Sequence, residues 1–136
     1  MESEEIVKNK VKRKLGIDHK RLINSFKFAI NGLIDTYRTE QTVWLYIPVS
    51  IIVIALGFIL KIDKYEWLAV ILVLGIILSL ELVNTAIESA INLETLKYHP
   101  LAKKAKDTAS AAVLVFAIVS VIIGIIIFLP KVIALF

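Results

Sequence analysis

The chain has 136 residues, 58% of them hydrophobic, with a mean hydropathy of +0.81 and a formal net charge of +4. That apolar share is well above the share found in ordinary soluble domains. A soluble chain of this length has too little interior for so many Ile, Leu and Val side chains, so lipid must solvate many of them. There is no cysteine, which excludes disulfides and thiolate metal sites.

Residues 1–17 are polar and basic and read as an N-terminal tail, while 18–136 read as a single membrane domain. Asp18 can N-cap a helix over about 18–40. Within it Leu22, Phe26, Ala29, Ile30, Leu33 and Tyr37 recur at helical spacing, opposite a stripe of Arg21, Asn24, Asn31, Asp35 and Arg38. Such a helix lies at the membrane interface or packs on a bundle.

No charge falls between Gln41 and Leu60, nor between Thr108 and Pro130. Each run can cross a hydrocarbon core, which takes about 20 helical residues. These are the first and third spans, placed at about 42–60 and 108–129. Pro48 sits inside the first, where neighbouring helices can tolerate a proline. KIDKYE is a short turn, and Tyr65 and Trp67 suit the headgroup belt. The second span, about 67–93, is charge-free to Leu80 and then carries two carboxylates. Residues 94–107 read as a connector interrupted by Pro100. The first apolar run begins some 40 residues in and no small-residue cleavage site follows it, so it does not read as a signal peptide. The fold class is therefore an all-α membrane protein, with three transmembrane helices preceded by an N-terminal amphipathic interfacial helix.

Nine basic residues precede the first span and four lie between the second and third (Lys97, Lys103, Lys104, Lys106). Lys61, Lys64 and Lys131 alone fall on the other side. The positive-inside rule then places the N-terminus in the cytosol and the C-terminus outside. The net positive charge is a topology signal and a possible contact with anionic lipid, not a sign of nucleic-acid binding.

Glu81, Asn84 and Glu88 stand at i, i+3 and i+7, on one face of the second span, and Thr85 and Asn92 extend the stripe. Carboxylates in an apolar helix are costly and usually face a protein or aqueous interior with a function to perform. The plainer reading is that they pair with Lys or Arg and lock helices together. KKAKD, residues 103–107, brings Lys106 and Asp107 to the start of the third span, where a basic run by itself is only topology information. Together the two groups suggest more. A carboxylate pair near the interface can hold Mg²⁺ with substrate phosphates. Lys and Arg can neutralise a triphosphate, and a deeper carboxylate can accept a proton from a lipid hydroxyl. No GxxxxGK[ST] loop occurs, so a nucleotide would have to be held without that cradle.

ELVNTAIESAIN (81–92) closely resembles the signature of the prokaryotic diacylglycerol kinase family, whose Gram-positive members are often undecaprenol kinases. AKDTASAAV (105–113) resembles its second block, KYHPLAKKAKD its Tyr-His loop, and GLIDTYRTE (32–40) the stretch before its first span. The match covers about residues 20–130 in order and spacing. It implies a membrane-bound lipid kinase using ATP and Mg²⁺, working as a homotrimer with sites shared between subunits in the bacterial cytoplasmic membrane. By the resemblance Glu81 is the general base on the lipid hydroxyl, with Asn84 beside it. Glu40 and Glu88 hold the metal, Lys106 and Asp107 contact phosphate and nucleotide, and Arg21 is a basic residue of the N-terminal helix. Ser110 and His99 match minor or structural positions. The sequence departs from the family where Asn92 replaces an Asp, and where Val43 and Trp44 replace an aromatic–Arg pair.

The reaction implied is phosphoryl transfer from ATP to a membrane lipid alcohol. The KYEW turn and the IIFLP end of the third span resemble the Gram-positive branch, which favours undecaprenol over diacylglycerol. Two rival classes are a small transporter or proton relay, which needs carboxylates along a path across the membrane, and a non-catalytic interaction subunit. The latter leaves Glu40, Lys106 and Asp107 without a joint purpose.

Overall fold

The structure is a computed structural model and describes residues 19–136. The tail at 1–17 and the expected cap at Asp18 lie outside the described residues. Those described form four helices and no strand: α1 (His19–Thr39), α2 (Gln41–Ile59), α3 (Lys64–Glu94) and α4 (Pro100–Ile133). The chain divides into two units, Met1–Asp35 and Thr36–Phe136. The first holds most of α1, whose Leu22, Phe26, Ile30 and Leu33 are exposed. That suits a helix whose apolar side meets lipid.

In the second unit α2, α3 and α4 are each long and apolar enough to cross a membrane. Their boundaries follow from local chemistry. Glu40 breaks the chain between α1 and α2 with an extended backbone. At the α2–α3 turn, Lys61 takes a left-handed conformation (φ 49°). Asp63 then starts α3 with a reciprocal cap. Its Oδ1 accepts from the Tyr65 and Glu66 amides at 2.7 and 3.0 Å, and its own amide donates to Glu66 Oε2 at 2.7 Å. Two of the otherwise unpaired amides of the first turn are thereby satisfied.

The connector is shorter than the sequence reading expects, because α4 begins at Pro100 and not near Thr108. A proline at the first helical position loses no hydrogen bond and has φ already set. His99 caps the helix, its Nδ1 accepting from the Leu101 amide at 3.2 Å. Pro100 starts a helix here and does not interrupt a loop.

At 31 and 34 residues, α3 and α4 are about 46 and 51 Å long at 1.5 Å per residue, well beyond a hydrocarbon core of about 30 Å. They pack against each other along most of that length, antiparallel. Glu66 meets Lys131 at one end and Asn92 meets Lys106 at the other, with Asn84 opposite Ser110 between them. The buried cluster of Ile62, Val70 and Ile127, with Trp67, Leu74 and Phe128 against it, sits near the α2–α3 turn. A cavity of about 310 Å³ extends from it between α2, α3 and α4, lined among others by Val53, Val73, Ile77, Ser120 and Tyr46. Outward-facing apolar residues such as Phe58 and Ile126 are exposed, as lipid-solvated side chains should be.

Candidate active site

The polar stripe of α3 begins at Glu81, one turn along the helix from Ile77 in the wall of that cavity. Glu81 is buried, at 4% exposure. Its Oε1 accepts a hydrogen bond of 2.8 Å from the hydroxyl of Tyr46 on α2. Glu88, half-buried two turns further along α3, accepts from the Asn84 amide at 3.2 Å, and Asn84 in turn accepts a long 3.5 Å bond from Ser110 on α4. Among the described residues neither carboxylate has an ion-pair partner. The reading in which Glu81 and Glu88 lock helices by pairing with Lys or Arg therefore does not hold for these residues. Burying an ionisable group against neutral donors costs stability, so the arrangement is poorly explained as packing alone.

The hydroxyl of Thr85 is buried on the same stripe without a hydrogen-bond partner among the described residues. At the end of the stripe Lys106 donates to Asn92 Oδ1 at 2.6 Å. The amide oxygen holds the ammonium in place without cancelling its charge. Asp107, expected to act beside Lys106, is ion-paired with Lys103 one turn before it. A cavity of about 380 Å³ opens there, between the connector and the first turns of α4, edged by Asn92, Lys97, Tyr98, Lys103, Lys106 and Asp107.

Glu40 lies at the α1–α2 break, half-buried, with its side chain making no cap bond. The rings of Tyr37 and Trp44 stack across the break, centroids 4.9 Å apart. Trp44 thus has a structural task at its position, as does Val43, which is buried. The Tyr46–Glu81 bond sets the register of the antiparallel pair α2 and α3. Glu40 precedes Tyr46 by six residues and Glu88 follows Glu81 by seven, so both carboxylates come to about the same level, near 10 Å from the Tyr46–Glu81 bond.

No group of three or more His, Asp or Glu that could hold a metal is present among the described residues. That is not a misfit for Mg²⁺, which keeps several waters and typically takes one or two protein carboxylates together with substrate phosphates. Glu88, with a neutral amide as its partner, and Glu40 at the same level have the donor chemistry for that role. Arg21 lies on α1 in the N-terminal unit. Two contributors escape the sequence reading. Tyr46 is signalled only by a lone tyrosine in an otherwise apolar stretch, and the i,i+4 spacing of Lys103 and Asp107 is the signal for their pairing.

The chain matches the family described as prokaryotic diacylglycerol kinase over residues 27–128. It is 45% identical to a protein named undecaprenol kinase from Bacillus subtilis, over 84% of this chain and 96% of that one. It is 32% identical to a diacylglycerol kinase from Pseudomonas aeruginosa, over 68% of this chain and 76% of the relative. A diacylglycerol kinase from Helicobacter pylori is 35% identical over 71% and 75%.

Proposed function

As the chain belongs to the prokaryotic diacylglycerol kinase family and is a lipid kinase, we propose that it transfers the γ-phosphoryl group of ATP to undecaprenol, giving undecaprenyl phosphate and ADP. The single observation that carries the mechanism is the buried Glu81, held by a neutral hydroxyl and without a cation partner among the described residues. A carboxylate so placed can accept the proton of an alcohol entering from the bilayer as the oxygen attacks phosphorus. With Glu66 at one membrane surface, Glu81 lies about 22 Å along α3 and Glu88 about 33 Å. For a core of about 30 Å, Glu81 is then within the membrane and Glu88 at its other surface. A primary alcohol anchored by its hydrocarbon chain reaches that depth range.

Phosphoryl transfer of this kind is mostly positioning and charge stabilisation. Glu88 and Glu40 would hold Mg²⁺, which supplies charge neutralisation on the β and γ phosphates when bound. Lys106, oriented by Asn92, would face the phosphates with its charge intact, and Asp107 with Lys103 would edge the nucleotide. Asn84 holds Glu88 in place from the side of Glu81. A role for Arg21 on the phosphates rests on the family resemblance alone.

Undecaprenol is favoured over diacylglycerol by the 45% identical relative, which bears the name undecaprenol kinase, and by the KYEW and IIFLP segments. The asymmetry of basic residues supports a bacterial cytoplasmic membrane location with the Lys106 end in the cytosol. A homotrimer with sites completed between subunits follows from the resemblance, and it would cover Glu40 and Glu88, which a single chain leaves half-buried. The test is transfer from labelled ATP with Mg²⁺ to undecaprenol and to diacylglycerol in mixed micelles, with Glu81→Gln as control. Faster labelling of undecaprenol, lost in the control, is the expected result. Equal labelling by the control would remove Glu81 from the mechanism, and faster labelling of diacylglycerol would change the acceptor.

A further inference from the structure

Among the described residues Tyr46 is the one side chain of α2 that hydrogen-bonds into the polar stripe of α3, and it joins two features that are otherwise separate. Its ring lines the apolar cavity between α2, α3 and α4. Its hydroxyl donates to Oε1 of Glu81 at 2.8 Å. Neither feature alone needs a tyrosine. A phenylalanine would line the cavity as well, and a buried carboxylate could be relieved by protonation or by a cation.

We propose that Tyr46 is a positioning residue for the phosphoryl transfer. It fixes one oxygen of Glu81 so that the other is the oxygen presented to the acceptor hydroxyl. A carboxylate on a glutamate stem has three side-chain torsions to fix, and Glu81 has no ion pair to fix them among the described residues. One short bond from a neighbouring helix supplies the constraint. Tyr46 keeps its own proton, and the proton that leaves the lipid alcohol goes to the free oxygen of Glu81. A donor on Oε1 also disperses the negative charge of the carboxylate without adding a positive charge that would compete for it. Because general-base transfer needs the two oxygens within hydrogen-bond reach, losing the constraint should reduce turnover more than binding.

This role rests on the reading of Glu81 as the base, and the experiment separates the two. The full-length protein in lipid vesicles carrying the acceptor is compared with Tyr46→Phe, Glu81→Gln and the double variant, measuring kcat, KM for ATP and for the lipid, and the melting temperature. Tyr46→Phe is expected to lower kcat at least tenfold, with KM for ATP within twofold of the parent. In the Glu81→Gln background the same change should cost nothing further, because Tyr46 acts only through Glu81. A Tyr46→Phe protein with lowered melting temperature but unchanged kcat would make the bond structural and overturn the proposal. So would a double variant slower than Glu81→Gln by the full Tyr46→Phe factor. If Glu81→Gln alone kept full activity, the base assignment would fail first and visibly, with Tyr46 falling as its dependent.

Discussion

The ammonium of Lys131 lies 2.9 Å from Glu66 Oε2, the same carboxylate oxygen that accepts the amide of Asp63 at the start of α3. One oxygen thus closes the helix cap and ties α4 to α3 at the end of the bundle opposite the proposed site. Glu66→Ala removes both bonds, while Lys131→Met removes one. Glu66→Ala should lower unfolding free energy by about 1–2 kcal/mol, and Lys131→Met by less than about 1. Thermal unfolding in detergent checks the order, and phosphoryl transfer should continue in both variants.

Asp63 gives the same cap a pH dependence. The amide of Glu66 and then that of Tyr65 hold its carboxyl below the ordinary carboxylate range, against desolvation, which raises it, and the charge of Lys131 adds a lesser lowering. A folded pKa below the unfolded one stabilises the fold above the unfolded value, and the gain is lost as pH falls through the folded value. The melting temperature should therefore fall as pH drops below about 4, the ordinary value for aspartate. Asp63→Asn should flatten that part of the curve, which scans from pH 6 to 3 will reveal.

Gly57 faces the ring of Trp67. A Cβ there would meet Trp67 Cη2 and Cζ2 at 2.8 and 2.9 Å and Ile62 Cδ1 at 3.1 Å. The indole also packs on Phe58, centroids 4.8 Å apart, so it cannot retreat without breaking that contact. Gly57→Ala should cost about 1–3 kcal/mol, the usual range for an overpacked site. Tryptophan fluorescence of the variant should show the displaced ring alongside a lowered melting temperature.

Glu88 and Lys106 should separate from Glu81 in their kinetics. Glu88→Gln is expected to raise the Mg²⁺ concentration for half-maximal rate by about tenfold, and Lys106→Met to raise KM for ATP by a similar factor. Glu81→Gln should instead cut kcat by about 10²–10⁴ at saturating Mg²⁺ and ATP. Initial rates across Mg²⁺ and ATP series decide it, and an unchanged Mg²⁺ requirement in Glu88→Gln would remove that carboxylate from the metal.

The helices were legible because charge-free runs and the spacing of Glu81, Asn84 and Glu88 are both properties of the chain itself. The ends within the membrane segments came out within a few residues for α2 and α3. The start of α4 did not, since Pro100 carries opposite meanings depending on whether His99 can cap a helix, which is a matter of geometry. The polar stripe was likewise visible, but its partners were not. Which hydroxyl meets Glu81 depends on the rotation and register of α2 against α3, and nothing in an apolar run such as Gln41–Ile59 encodes that. Asp107 illustrates the same limit: the resemblance sets it with Lys106 at the nucleotide, and the Lys103 partner it takes on the helix emerges from the folded geometry.

The two ends of the α3–α4 pair are fastened by charged and polar bonds, and α2 packs on α3 more sparsely. Mechanically the pair is a stiff rod and α2 a strut leaning on it. Breathing of the bundle within the bilayer will therefore be concentrated at the strut, and the phenol of Tyr46 is where such movement would tug on a carboxylate.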